Sequence, residues 1–101
     1  MFQRKDLSKN EVVLSVDGPL NAEATSEFHR QVEDLVAASY ATISLDLSRT
    51  ESINSSALGK ILLFRKKLAE DRRVIRIKGC SEALYKTFMM IKFDALIPIE
   101  K

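Results

Sequence analysis

The sequence predicts an α/β domain built on a mixed sheet of four to five strands, with helices mainly on one face. Apolar residues alternate with period two in some stretches and recur at helical spacing in others, giving the order β-β-α-β-α-β-α along the chain. The strands also keep a polar second face, with Ser44 and Asp46 on one and Arg76 and Lys78 on another, whereas a sheet covered on both sides reads as continuous apolar runs. With 101 residues, 46% of them apolar and 30% charged, the chain can build one core but not two, so residues 1–101 are expected to form one domain.

Each element has its own signal. Phe2 to Lys5 is expected to pair across a turn at Leu7-Ser8-Lys9-Asn10 with the strand Glu11 to Asp17, where Val12, Leu14 and Val16 share one side. Gly18-Pro19 ends that strand. Asn21 can cap a helix to about Ala38 with Ala24, Phe28, Val32, Leu35 and Val36 on one face and His29 at its edge. Thr42 to Ser48 alternates again, with Ile43, Leu45 and Leu47 opposite Ser44 and Asp46. After the loop 49–53, Asn54-Ser55-Ser56 can satisfy free backbone N–H groups at the start of a helix to about Glu70. Val74 to Lys78 is a strand, Ser81 caps a third helix carrying Leu84, Phe88 and Ile91, and Leu96 to Ile99 is expected as a last edge strand, where Pro98 is tolerable.

Composition excludes several function classes. Cys80 and His29 are each the only residue of their type, which leaves no Cys/His metal cage, and Cys80 is expected as a small buried hydrophobe. Apolar runs are far too short for a membrane-spanning helix, and no apolar run follows the N-terminal charges as in a secretory signal, so a cytoplasmic location is the expectation. The net charge of +2 conceals a basic block: residues 60–78 hold eight basic and two acidic side chains, against five and nine in residues 1–59. Nothing in that block resembles a nucleic-acid signature, and Phe64 is the one aromatic residue within it, so direct nucleic-acid binding is not expected. There is also no glycine-rich phosphate loop and no pair of residues to serve as base and nucleophile, which argues against an enzyme.

The candidate site lies where open α/β sheets offer a crevice, beyond the strand ends, with Asp46, the 49–53 loop and Ser55-Ser56 in one neighbourhood. Helical phase puts Ala57, Leu58, Ile61, Leu62, Phe64, Leu68 and Ala69 in the core stripe, with Arg65 inside it, and puts Gly59, Lys60, Leu63, Lys66 and Lys67 on the side of Ser56. Leu63 is the one apolar member of that outer face, either an ordinary exposed leucine or part of a contact surface. A receiver domain phosphorylated on Asp46 is a competing class, for which Asp17 and Lys78 are thin substitutes for the further acids and lysine it needs.

Ile43-Ser44-Leu45-Asp46-Leu47-Ser48, five loop residues and Asn54-Ser55-Ser56-Ala57-Leu58-Gly59 resemble the signature of the STAS domain of bacterial anti-sigma factor antagonists. Gly18-Pro19-Leu20, the chain length and the element order extend the resemblance over essentially the whole chain. It implies a non-enzymatic binding module without cofactor or metal, acting with neither nucleic acid nor membrane. In the family the helix opens Asp-Ser-Ser-Gly, and the second serine, Ser56 here, is phosphorylated by a partner that is both an anti-sigma factor and a serine kinase. A metal-dependent serine phosphatase reverses the modification. Together with helical phase, this makes Asn54, Ser55, Ser56, Gly59, Lys60 and Leu63 the expected partner surface. Asn54 stands where the family has an acid and Ala57 where it has glycine, a change expected to limit how closely a partner backbone approaches. The same fold also serves as an adaptor subunit of transporters or of signalling complexes that do not act on a sigma factor.

Overall fold

A computed structural model describes residues 1–101. Its elements are β1 (Phe2–Asp6), β2 (Glu11–Asp17), α1 (Ala22–Ala37), β3 (Thr42–Arg49), α2 (Ser55–Glu70), β4 (Val74–Cys80) and α3 (Glu82–Met90), followed by a 3₁₀ turn at Phe93–Ala95. The sheet order is β1-β2-β3-β4, with β1 antiparallel to β2 and the other pairs parallel. The β1–β2 turn is closed by Ser8, whose hydroxyl oxygen accepts the N–H groups of Asn10 and Glu11 at 3.1 and 3.2 Å.

Register explains the one-sided architecture. Val12, Ile43 and Ile75 lie side by side, as do Leu14, Leu45 and Ile77, and all six join Phe28, Val32, Leu35, Ile61, Phe64, Leu84 and Phe88 in one buried core. Burying each such side chain stabilises the fold by about 1.5–3 kcal/mol. The other face is open to solvent except at Ser44, which the sequence places on the less covered face and which is nevertheless fully buried. No helix covers it. Arg76 donates from Nε to Ser44 Oγ at 2.9 Å and from Nη2 to Glu11 Oε2 at 2.7 Å, and Ser44 Oγ donates to Glu11 at 3.1 Å. Two long neighbouring side chains close over a short one, and the Arg76 bond, then the Ser44 bond, hold the Glu11 carboxyl below its ordinary range.

Two further expectations are corrected. Leu96 to Ile99 forms only a single bridge, Ile77 to Ile99, because Pro98 has no N–H with which to extend the ladder. Ile91 ends α3 as its C-cap and is half exposed instead of buried. Cys80 is buried as expected, and burial raises its thiol pKa.

Candidate functional site

Three ties fix the start of α2. Gly18, at φ 110°, turns the chain out of β2, and Leu20 then pairs with Ile53, its N–H donating to Ser52 O and its carbonyl accepting from Asn54 N–H, both at 2.9 Å. Thr50 is fully buried; its hydroxyl donates to Val16 O at 3.0 Å, and its carbonyl accepts from Ser81 Oγ at 2.8 Å, linking β2 to the α3 cap. Nothing in the loop sequence singles out Thr50, since its value comes from partners distant along the chain. Finally, Asn54 Oδ1 caps α2 by accepting the Ala57 N–H at 2.8 Å, and Thr25 Oγ1 of α1 approaches the same oxygen at 3.4 Å.

On this anchored helix Ser55, Ser56, Gly59 and Leu63 are exposed and Lys60 is half-buried, so the expected outer face forms as one surface. Leu63 is 44% exposed, large for an apolar side chain. A Cβ built on Gly59 would meet nothing within 4 Å, so the fold itself has no steric need for glycine there. The buried side is narrower than the sequence suggests. Ala57, Ile61, Phe64 and Leu68 are fully buried, Leu58 and Leu62 are half-buried, and Arg65 and Ala69 are exposed because they lie past the edge of the contact with sheet and α1. Ala57 thus points into the core, and its methyl group does not stand in a partner's way.

The structure separates Asp46 from Ser56. Asp46 alternates with the buried Leu45 and Leu47, so its carboxylate lies on the open sheet face, where Oδ1 accepts the Ser48 N–H at 3.0 Å and the Ser48 hydroxyl. Ser56 heads a helix on the covered side. The two were expected together because both follow the strand ends, but strand alternation sends them to opposite faces.

α2 also lacks an acidic residue in its first turn, whereas α1 has Glu23. Its N-terminal N–H groups and positive dipole end therefore carry no compensating charge. No helix is long and apolar enough to cross a membrane.

Comparison with known proteins agrees with this geometry. A family model described as "Mlab, STAS domain" matches residues 4–98. No curated protein sequence matches the chain significantly. Among solved structures, a Thermotoga maritima protein provisionally named an anti-sigma factor antagonist is similar with a TM-score of 0.88 and 26% identity, over 99% of this chain and 86% of the other. The anti-sigma factor antagonist SpoIIAA in its unphosphorylated form gives a TM-score of 0.82 at 18% identity, over 100% of this chain and 89% of the other. The Bacillus cell fate determinant SpoIIAA in the phosphorylated form gives 0.74 at 18% identity, over 100% and 92%. At 18% identity the SpoIIAA likeness establishes the fold, a four-stranded mixed sheet with three helices. Since the family model covers nearly the whole chain, from Arg4 in β1 to Pro98, this protein belongs to the STAS domain family.

Proposed function

We propose that this chain is a non-enzymatic, phosphorylation-switched anti-sigma factor antagonist. With Ser56 unmodified, it binds an anti-sigma factor that is also a serine kinase, using Asn54, Ser55, Ser56, Gly59, Lys60 and Leu63. Phosphorylation of Ser56 releases the partner, and a metal-dependent serine phosphatase resets the module. The observation that carries this reading is the line of exposed Ser56, Gly59 and Leu63 with half-buried Lys60 on α2, including a glycine that the chain's own packing does not use. The existence of SpoIIAA in phosphorylated and unphosphorylated forms supports it.

The physics of such a switch is local. A phosphoserine adds about −1.5 to −2 charges, which the uncompensated N-terminus of α2 accommodates, so the domain need not refold. At the interface, a phosphate ~5 Å from an acidic partner group is repelled by roughly 3 kcal/mol per unit charge at an effective dielectric near 20. A hundredfold loss of affinity needs only about 2.8 kcal/mol.

Phosphopeptide mapping from the source cells is expected to place the modification on Ser56 in preference to Ser55. Ser56→Asp should lower affinity for the captured partner at least ~tenfold, or about 1.4 kcal/mol, while Ser56→Ala binds but no longer responds to the kinase. One observation favours a second reading: Asn54 performs the cap, so no acid stands beside Ser56. On that reading the same surface belongs to a constitutive adaptor of a transporter or other signalling complex. Phosphate found elsewhere, together with unchanged binding by Ser56→Asp, would select it.

A further inference from the structure

The open face of the sheet carries a second arrangement that binding at α2 does not use. At the carboxyl ends of β2, β3 and β4, where open α/β sheets generally hold ligands, Lys5, Ser15, Asp46, Ser48, Lys78 and Lys101 line a depression of about 510 Å³. An adjoining depression of about 380 Å³ shares Ser15, Asp46 and Ser48 with it. Both parallel ladders shift register here, between Ser15 and Asp17 on one side of β3 and between Leu45 and Asp46 on the other. The second shift leaves Lys78 as an extra residue on β4, and such bulges re-aim side chains beside binding sites. A Cβ at Gly79 would lie 3.3 Å from Asp46 Oδ1, so a larger residue there would press on the carboxylate and require it to give by a few tenths of an ångström.

The charges in this depression are unevenly matched. Lys5 and Lys78 make no ion pair, and Lys101 has only Glu82 at 3.9 Å, with its ammonium 5.1 Å above the Tyr85 ring. The ammonium groups of Lys5 on β1 and Lys78 on β4 thus face one carboxylate, while that of Lys101 is turned to Glu82 and Tyr85 of α3. Asp46 Oδ1 is occupied by Ser48, which leaves Oδ2 as an acceptor with no donor. A bare anion would meet the lysines and also the carboxylate, whereas a ligand with an anionic end and a hydroxyl end matches both.

We propose that this depression is a separate binding site for a small phosphorylated, hydroxyl-bearing molecule, its phosphate held by Lys5 and Lys78 and a hydroxyl donating to Asp46. None of these residues belongs to α2, so the site stands or falls independently of Ser56.

The test is an amide-resonance titration of the whole chain with glycerol phosphate, inorganic phosphate and glycerol. Saturable shifts are expected at Ser15, Ser48 and Gly79, strongest with glycerol phosphate, weaker with phosphate and absent with glycerol. Lys5→Gln and Lys78→Gln, both exposed and therefore tolerated by the fold, should each weaken glycerol phosphate by about fivefold. Asp46→Asn should narrow the preference for glycerol phosphate over phosphate. Shifts that do not saturate, that appear equally at Lys66 and Lys67 of α2, or that survive both lysine substitutions would overturn the proposal.

Discussion

α1 and α2 have the same length, sixteen residues, the same kind of cap, an asparagine side chain, and the same buried side of the sheet, yet they treat their charges in opposite ways. On α1 the cations are answered locally. Arg30 pairs with Glu27 and reaches Asp34 at 3.9 Å, and Arg4 of β1 reaches Asp34 at 3.2 Å. On α2, by contrast, Lys60, Arg65, Lys66 and Lys67 have no acidic partner, and Lys67 merely lies 5.9 Å from the Phe64 ring centroid. A self-neutralised helix has little left with which to attract another molecule. An uncompensated basic face with one exposed leucine suits an acidic partner that offers an apolar pocket, which favours α2 over α1 for the binding role proposed above.

The largest effect should show where the helices are alike. Phe28 and Phe64 are both fully buried, so Phe28→Ala and Phe64→Ala should each cost about 3–5 kcal/mol in denaturant unfolding. A clearly smaller loss in α2 would mean that its basic outer face comes with weaker packing, and the comparison would need redrawing.

Gly59→Ala separates the two roles of α2. With open space around the new methyl group, it should stabilise the domain by about 1 kcal/mol, read as a higher thermal midpoint, while weakening the partner complex. A stabilised protein that binds as before would remove Gly59 from the contact surface.

Leu63→Glu should change stability by no more than ~0.5 kcal/mol while lowering partner affinity, since a charge would enter the apolar contact. A collapse in the unfolding midpoint would show that Leu63 supports the core after all.

The smallest effect concerns acid. The bond from Arg30, then that from Gln31, holds the Glu27 carboxyl below its ordinary 4.5. A carboxyl depressed in the folded state adds stability above the unfolded pKa and loses it as pH falls through the folded one. Wild type should therefore lose slightly more stability than Glu27→Gln as pH drops below 4.5, measured by unfolding at a series of pH values. Identical pH profiles would show that the α1 ion pairs are too exposed to matter.

Sequence and structure agree closely wherever a local rule operates. All three side-chain caps, Asn21, Asn54 and Ser81, were legible, because capping needs only an oxygen within reach of the next two or three backbone N–H groups. Helix ends were less so. Ser39, Arg72 and Lys92 follow α1, α2 and α3 with φ of 68°, 61° and 57°, a conformation usually marked by glycine, and no glycine is present to announce it.

Of the candidate surface, the exposure of Ser56, Gly59 and Leu63 and the inward turn of Ala57 followed from helical phase, while the outward placement of Arg65 and Ala69 depended on how wide a contact α1 and the sheet make with α2. Periodicity, caps and motif spacing are properties of neighbouring residues, and the sequence alone determines them: the element order, the polar second sheet face and the serine at the head of α2. Tertiary structure alone decided that Ser44 is sealed by Glu11 and Arg76 and that Thr50 anchors the loop. Each of these depends on strand register and on side chains brought together from distant parts of the chain, and a pattern read along one segment carries no record of what packs across from it.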